Sequence, residues 1–151
     1  MDLGLKGKRA LVLGASRGLG ATIAATLAAE GASVVAAARN LDAITGWVAE
    51  LPAERRGRVV AARLDLADLA SVEALAEQLI AEGGVDILIG NSGGPPPGEA
   101  RDARRADWLL HFEAMAANLF HLAQRLLPGM IERRWGRVVT IVSSGVEQPI
   151  P

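Results

Sequence analysis

The feature that most constrains the fold of this chain is a glycine-rich turn between an apolar run and a helix-forming stretch. Residues 9–13 form a largely apolar run with the length of a buried strand. Gly14, Gly18 and Gly20 follow, and the alanine-rich residues 21–30 favour a helix. Strand, tight turn and helix N-terminus in this order predict a cradle for a phosphate group, although an ordinary strand-to-helix turn is the alternative.

The composition favours one domain with an apolar interior. Half of the 151 residues are hydrophobic, and the formal net charge of −1 gives no reason to expect nucleic acid or an anionic membrane as a partner. The absence of cysteine excludes disulfides and thiolate metal sites and fits a reducing compartment, and no metal site is predicted. No apolar run approaches the roughly 20 residues of a membrane-spanning helix. A soluble, cytoplasmic protein without a signal peptide is therefore predicted.

Apolar runs and helix-forming segments alternate along the chain. Strands are predicted at residues 9–13, 33–38, 58–64, 86–90 and 136–142, and helices at 21–30, 41–51, 68–82, 102–127 and 128–134. Such strands pair in parallel through right-handed crossovers, and their two apolar faces require helices on both sides. The pattern predicts an α/β fold: a doubly wound parallel sheet in a single dinucleotide-binding domain over residues 1–151, with a loop at 91–98.

The glycine turn resembles that of the short-chain dehydrogenase/reductase family. The family carries Thr-Gly-x-x-x-Gly-x-Gly; Gly14, Gly18 and Gly20 match its glycines, while Leu13 stands in place of the threonine. The resemblance extends over the whole chain and corresponds to the first part of a typical member of about 250 residues. It implies a Rossmann-type sheet with strand order 3-2-1-4-5, whose C-terminal part lies beyond these residues.

The residues expected to bind a cofactor follow the ends of the first four strands, where ligands of such sheets bind. An acid after the second strand would suit the ribose 2′-hydroxyl of NAD, whereas Arg39, together with Arg17 in the glycine turn, suits the 2′-phosphate of NADP. NADP(H) is therefore the preferred cofactor and NAD(H) the alternative, unless both arginines are solvated surface charges. The complete predicted set is Gly14, Ser16, Arg17, Gly18, Leu19, Gly20, Arg39, Asp65, Leu66, Asn91, Ser92 and Gly93.

Two parts of this set rest on the resemblance. Asp65 matches a family aspartate that holds the adenine amino group, with a cap or turn role for Asp65 or Asp68 as the alternative. Asn91 and Gly93 match two positions of the family's Asn-Asn-Ala-Gly segment. The prolines at 95–97 are expected to shape the substrate entrance, or else to form only a rigid connection.

The catalytic residues are also assigned by resemblance. The family uses an asparagine on the helix after strand four, a serine after strand five, and a Tyr-x-x-x-Lys on the following helix. Asn118 matches the asparagine, which supports a proton-relay water, and Ser143 matches the serine, which hydrogen-bonds the substrate oxygen; Ser144 is the alternative to Ser143. Plain structural roles for Asn118 and for the serines stay open.

The sequence contains no tyrosine, and the Tyr-x-x-x-Lys is expected beyond Pro151. Either these residues are part of a longer reductase, or the tyrosine is replaced in this branch. His121, one turn after Asn118, is not expected to substitute for it.

The resemblance implies an NADP(H)-dependent oxidoreductase that reduces a ketone or oxidises the alcohol, similar to 3-oxoacyl-[acyl-carrier-protein] reductases. The alternative is a nucleotide-binding or regulatory protein of the same fold without turnover. Apolar residues at positions 109, 112, 115, 119, 122 and 126 recur at helical spacing, and the corresponding family helix packs against its symmetry mate. A homodimer or homotetramer that associates through helix 102–127 is therefore predicted. The fifth strand is also expected to have an uncovered apolar edge.

Overall fold

A computed structural model of the chain describes residues 3–143, which form a five-stranded parallel sheet flanked by helices. The strands are β1 (Arg9–Leu13), β2 (Ser33–Ala38), β3 (Val59–Arg63), β4 (Ile87–Gly90) and β5 (Arg137–Thr140). Their order is β3-β2-β1-β4-β5, and all neighbours pair in parallel. The predicted strand order and fold class are confirmed.

The helices are α1 (Gly18–Ala29), α2 (Leu41–Ala49), α3 (Ala53–Arg56), α4 (Leu69–Ala81), α5 (Arg105–Phe112) and α6 (Asn118–Glu132). The short α3 was not predicted. It begins directly after Pro52, a residue that suits a helix start because the first N–H groups of a helix have no partner within the helix. No helix in the described part of the chain is long and apolar enough to cross a membrane.

The core lies on both faces of the sheet, because successive side chains of a strand point to opposite sides. Leu11, Leu13 and Leu88 pack on one face with residues of α4 and α6. Ala10 and Val12 pack on the other face with small residues of α1, which allow this helix to approach the sheet closely. Helices therefore cover both faces, as expected for a doubly wound sheet.

β5 lies at one edge of the described sheet and is shorter than predicted, because its pairing with β4 ends at Gly90 and Thr140. Val138 and Val139 are nearly half exposed, at 46% and 45%. Over residues 3–143, no further strand pairs with the outer side of β5.

The predicted long helix at 102–127 is divided in the structure. A 3-10 turn at Ala100–Asp102 precedes α5, and a π-helical segment at Glu113–Ala117 joins α5 to α6. The predicted apolar stripe is therefore buried in one part and exposed in the other. Leu119, Leu122 and Leu126 are buried against the sheet, whereas Leu109 and Phe112 are exposed. Half of the stripe thus covers this chain's own sheet and is not available to a symmetry mate.

Candidate functional site

A cleft of about 700 Å³ opens at the carboxyl edge of the sheet, where β1 to β4 end. Eleven of the twelve residues predicted to bind the cofactor line it, namely Gly14, Ser16, Arg17, Gly18, Leu19, Arg39, Asp65, Leu66, Asn91, Ser92 and Gly93. Gly20 is the exception. The structure therefore brings residues from four separate loops to a single cavity.

The glycine turn is shaped by close packing against the end of β4. Gly14 has a φ of 62°, in the left-handed region, and a Cβ atom there would lie 2.7 Å from both the Nδ2 and the carbonyl oxygen of Asn91. The Asn91 Nδ2 group donates to the carbonyl of Leu13 at 3.3 Å and so ties β4 to β1. Gly20 lies beneath the turn, where a Cβ atom would overlap the carbonyl oxygen of Gly14. Its lack of a side chain allows α1 to pack directly under the turn.

The N-terminus of α1 lies at the cleft, and its first N–H groups are not capped by the side chain of Arg17. α1 has no side-chain cap and no acidic residue in its first turn. By contrast, Asn40 caps α2 by accepting from the N–H of Ala43 at 3.1 Å, and Asp68 caps α4 by accepting from that of Ala70 at 3.0 Å. An uncapped helix start that faces a cleft is suited to an anion such as a pyrophosphate.

Two guanidinium groups lie in the same cleft. Arg17 belongs to the glycine turn and Arg39 follows β2 directly, and both side chains are exposed. Neither forms an ion pair with a carboxylate in residues 3–143. The cleft therefore carries two positive charges and a helix N-terminus, which together fit a ligand with several phosphates.

Asp65 and Leu66 form the cleft wall after β3. The Oδ1 atom of Asp65 accepts from the N–H of Ala67 at 3.0 Å, and its own N–H donates to Ser71 Oγ at 3.0 Å. Asp65 thus stabilises a local turn while it lines the cleft, and Asp68 caps the helix that follows. Asp65 therefore has the turn role that was the alternative interpretation, and it also occupies the position in the cleft that is expected of an adenine-binding residue.

Asn118 does not belong to the residues that line the cleft, and its predicted catalytic role stays a prediction. It is buried, with 4% of its surface exposed, and its Nδ2 group donates to the carbonyl of Leu66 at 2.7 Å. The amide donor therefore holds the cleft wall from behind. The cleft-lining residues of this helical region are Leu110, His111, Ala114 and Met115. The sequence analysis missed these four, although their spacing of one, three and one residues marks one helical face.

The two other candidate positions also lie outside the cleft lining. Ser143 is exposed and lies three residues beyond β5, at the same edge of the sheet, while Ser144 lies outside the described residues. The Nε2 atom of His121 is 2.5 Å from Glu73 Oε1 of α4, so this histidine belongs to the contact between α4 and α6. His121 is therefore not part of the cleft.

A second cleft of about 660 Å³ adjoins the first and shares His111 and Met115 with it. The prolines at 95–97 form one wall, and Trp108 and Phe112 of α5 form another. The lining is mainly apolar. At its rim, hydrogen bonds from the Arg104 guanidinium lower the pKa of the Asp107 carboxyl.

No cluster of side chains in the described residues could hold a metal ion. The site consists of a cleft that carries two arginines and a helix N-terminus, and of a more apolar cleft beside it. Cavities of this size and lining are typical of small-molecule sites.

Comparisons with known proteins agree with this geometry. A family model described as short chain dehydrogenase matches residues 8–151. The 7alpha-hydroxysteroid dehydrogenase of Escherichia coli K12 is 37% identical over 147 residues, which are 97% of this chain and 57% of that protein. The 3-oxoacyl-[acyl-carrier-protein] reductase of the same organism is 35% identical over 142 residues, which are 93% of this chain and 57% of that protein.

Among solved structures, the L-sorbose reductase from Gluconobacter frateurii, complexed with NADPH and L-sorbose, is similar with a TM-score of 0.90 and 34% identity. The match covers 99% of this chain and 57% of that protein. The chain thus spans little more than half the length of the relatives that it matches.

Proposed function

The chain belongs to the short chain dehydrogenase family, and from that membership we propose that it forms the cofactor-binding part of an NADP(H)-dependent oxidoreductase. The reaction is the reduction of a ketone or the oxidation of the corresponding alcohol. The observation that carries the proposal is that one cleft holds both the uncapped N-terminus of α1 and the side chains of Arg17 and Arg39, neither of which forms an ion pair within residues 3–143. The similar L-sorbose reductase, described with NADPH bound, supports the choice of cofactor.

Each part of the cleft has a proposed task in holding the cofactor. The N–H groups of the glycine turn and of α1 bind the pyrophosphate, and Arg17 and Arg39 bind the 2′-phosphate. Asp65 and Leu66 hold the adenine, and the segment at 91–93 passes beside the ribose. When bound, the nicotinamide supplies or accepts the hydride.

The reaction also requires a proton donor and an oriented substrate oxygen. We propose that Ser143 donates a hydrogen bond to that oxygen and that Asn118 acts indirectly, through the Leu66 carbonyl that it holds. These 151 residues contain no tyrosine, so the proton is proposed to come from a Tyr-x-x-x-Lys of a longer natural protein, or from a replacement for it.

The substrate is proposed to enter through the apolar cleft between the prolines at 95–97 and α5. An apolar lining suits an acyl chain or another hydrophobic ketone, and the similarity to a 3-oxoacyl-[acyl-carrier-protein] reductase favours the acyl chain. A smaller or more polar ketone would gain little from Trp108 and Phe112.

The natural protein is proposed to be a cytoplasmic homodimer or homotetramer that associates through the exposed side of α6. Phe120 and Ile131 are each more than 60% exposed there and lie outside both clefts. Large apolar side chains clustered at a surface commonly mark an interface.

A second candidate is a protein that binds the nucleotide without turnover. It is favoured by one observation: Asn118 and Ser143, the two residues assigned to catalysis, both lie outside the lining of the cleft. A protein that has lost turnover but still binds the cofactor would keep the glycine turn and the two arginines, because these residues are proposed to bind the nucleotide.

Cofactor binding tests the main proposal. In the natural protein, NADPH should bind at least ~10-fold more tightly than NADH, which corresponds to about 1.4 kcal/mol. Arg39→Asp should reverse this preference because it replaces the cation by an acceptor for the 2′-hydroxyl. Arg55→Asp is the matched control, since Arg55 lies on α3 and outside the cleft. Equal affinities for the two cofactors in the unchanged protein would contradict the proposal.

Turnover distinguishes the two candidates. The 151 residues alone should reduce no ketone, whereas the natural protein should turn over and Ser143→Ala should lower kcat by ~100-fold or more. A natural protein that binds NADPH but reduces no ketone from a panel of acyl and cyclic substrates would favour the second candidate.

A further inference from the structure

One side chain of α2 reaches the glycine turn. The indole Nε1 of Trp47 donates to the carbonyl oxygen of Ala15 at 2.9 Å, across 32 positions of sequence. Ala15 is fully buried and lies between Gly14 and Ser16, both of which line the cleft. A buried carbonyl requires a hydrogen-bond partner, and here the tryptophan provides it.

The backbone of Ala15 is fixed at both its N–H and its carbonyl group. Its N–H donates to the carbonyl of Ala37 in β2 at 3.1 Å, while its carbonyl accepts from Trp47 of α2. β2 and α2 are the elements on either side of Arg39, and Asn40 caps α2 directly after that arginine. The segment that carries Arg39 is therefore attached at both ends to the glycine turn.

Arg17 lies only two residues after Ala15. A shift of the Ala15 peptide consequently changes the separation between Arg17 and Arg39. Two cations can bind one phosphate only when both reach it, so the selectivity for a 2′-phosphate depends on this separation.

Packing alone does not require a tryptophan at position 47. Ile44, one turn earlier on α2, is fully buried and anchors the helix to the core, whereas Trp47 is only half-buried at the rim. Trp47 differs from an aliphatic or phenyl side chain at this position by its N–H group, which donates to the carbonyl of Ala15 in the glycine turn.

We propose that Trp47 is a positioning residue for cofactor selectivity: its indole N–H holds the Ala15 carbonyl and thereby fixes the separation of Arg17 and Arg39. This inference rests on the proposed NADP(H)-dependent function. Trp47 itself need not contact the nucleotide, and it does not belong to the residues that line the described cleft.

The test compares Trp47→Phe with Trp135→Phe in the natural protein. Trp47→Phe keeps an aromatic ring but removes the donor. Trp135 is also half-buried, packs its ring against Lys8 Nζ at 4.0 Å from the ring centroid, and lies outside the cleft, so the same replacement there is a matched control. The probes are ADP and its 2′-phosphorylated form, measured by calorimetry, with the unfolding free energy of each variant measured in urea.

Trp47→Phe should lower the affinity for the 2′-phosphorylated probe about 5-fold more than the affinity for ADP, as expected for the loss of one hydrogen bond. Trp135→Phe should leave the ratio unchanged even if it lowers stability. An unchanged ratio in Trp47→Phe, with the preference of the natural protein intact, would overturn this inference alone. Absence of any preference in the natural protein would overturn the cofactor proposal and this inference together.

A measurement without substitution covers the case in which Trp47→Phe fails to fold. In the ¹⁵N-labelled natural protein, the indole N–H resonance of Trp47 should shift more on addition of the 2′-phosphorylated probe than on addition of ADP. The Trp135 resonance should respond equally to both. A Trp47 resonance that does not distinguish the two probes would overturn the inference.

Discussion

Replacing Gly20 by alanine is the most direct test of how the glycine turn is built. A Cβ atom at this position would overlap the carbonyl oxygen of Gly14, and would lie 2.7 Å from the Gly14 carbonyl carbon and 3.0 Å from Ala15 Cα. All three atoms belong to the backbone, so no side-chain rotation relieves the overlap. Either α1 or the turn has to move.

The expected cost follows from two opposing contributions. Overpacking a rigid site costs about 3 kcal/mol at the upper end of its usual range. Alanine is favoured over glycine in a helix by about 1 kcal/mol, and Gly20 lies in the first turn of α1. Gly20→Ala should therefore destabilise the protein by about 2 kcal/mol and lower Tm by about 4–8 °C.

Gly46→Ala is the matched control. Gly46 lies inside α2, has no atom within 4 Å of a new Cβ, and does not have a positive φ. The same replacement should there stabilise the protein by about 0.5–1 kcal/mol. The two variants should differ by about 3 kcal/mol although the chemical change is identical.

Urea unfolding of the natural protein, followed by circular dichroism with and without NADPH, measures both effects. Gly20→Ala should also weaken NADPH binding, because the displaced Gly14 and Ala15 belong to the proposed phosphate cradle. A Gly20→Ala variant within about 0.5 kcal/mol of the unchanged protein, the range of an ordinary surface substitution, would refute the packing argument.

Three further predictions concern other parts of the fold. Asp68→Ala should remove the cap of α4 and cost about 1 kcal/mol in urea unfolding. The pKa of Asp107 should lie below its ordinary value of 3.8, because the Arg104 guanidinium hydrogen-bonds the carboxylate. This pair should therefore stabilise the start of α5 above pH 3.8 and cease to do so as the pH falls through the lowered pKa. Arg104→Gln should raise the pKa of Asp107 in a carboxyl NMR titration. Phe120→Ser combined with Ile131→Ser should lower the molecular mass measured by light scattering, if the exposed side of α6 is the interface.

The fold could be predicted from the sequence because its signals are local. Gly14, Gly18 and Gly20 mark the turn, and the alternation of apolar runs with helical periodicity indicates a parallel sheet. The spatial order of the strands is not a local property, and it was taken from the family resemblance. The short α3 was missed because four residues after a proline carry no periodicity.

The location of most cofactor-binding candidates in one cleft was predictable for a related reason. Each candidate follows the end of a parallel strand, and these ends meet at one edge of the sheet whatever the loops between them do. The contact of Trp47 with Ala15 could not be predicted in this way, because it depends on how α2 packs over the turn. No repeat or motif marks position 47 in the sequence.

The apolar stripe predicted in the region 102–127 shows where sequence periodicity fails for a specific physical reason, because only its second half is buried. The helical spacing of apolar residues assumes 3.6 residues per turn throughout the region 102–127. The π-helical segment at Glu113–Ala117 has wider turns, with bonds from residue i to i+5, so each residue in it rotates the chain by a smaller angle. Met115, before the end of this segment, faces the cleft, whereas Asn118, after it, is turned towards the Leu66 carbonyl.

This change of face decides which side chains of the helical region reach the cleft. A side chain that acts on a substrate from this helical region has to project from the face that carries Leu110, His111, Ala114 and Met115. That face lines both clefts at His111 and Met115, and it presents a thioether at the position closest in sequence to Asn118. A thioether is only a weak acceptor and cannot donate to a relay water. The relay role assigned to Asn118 by resemblance stays a prediction, and in the structure its amide holds the Leu66 carbonyl of the cleft wall.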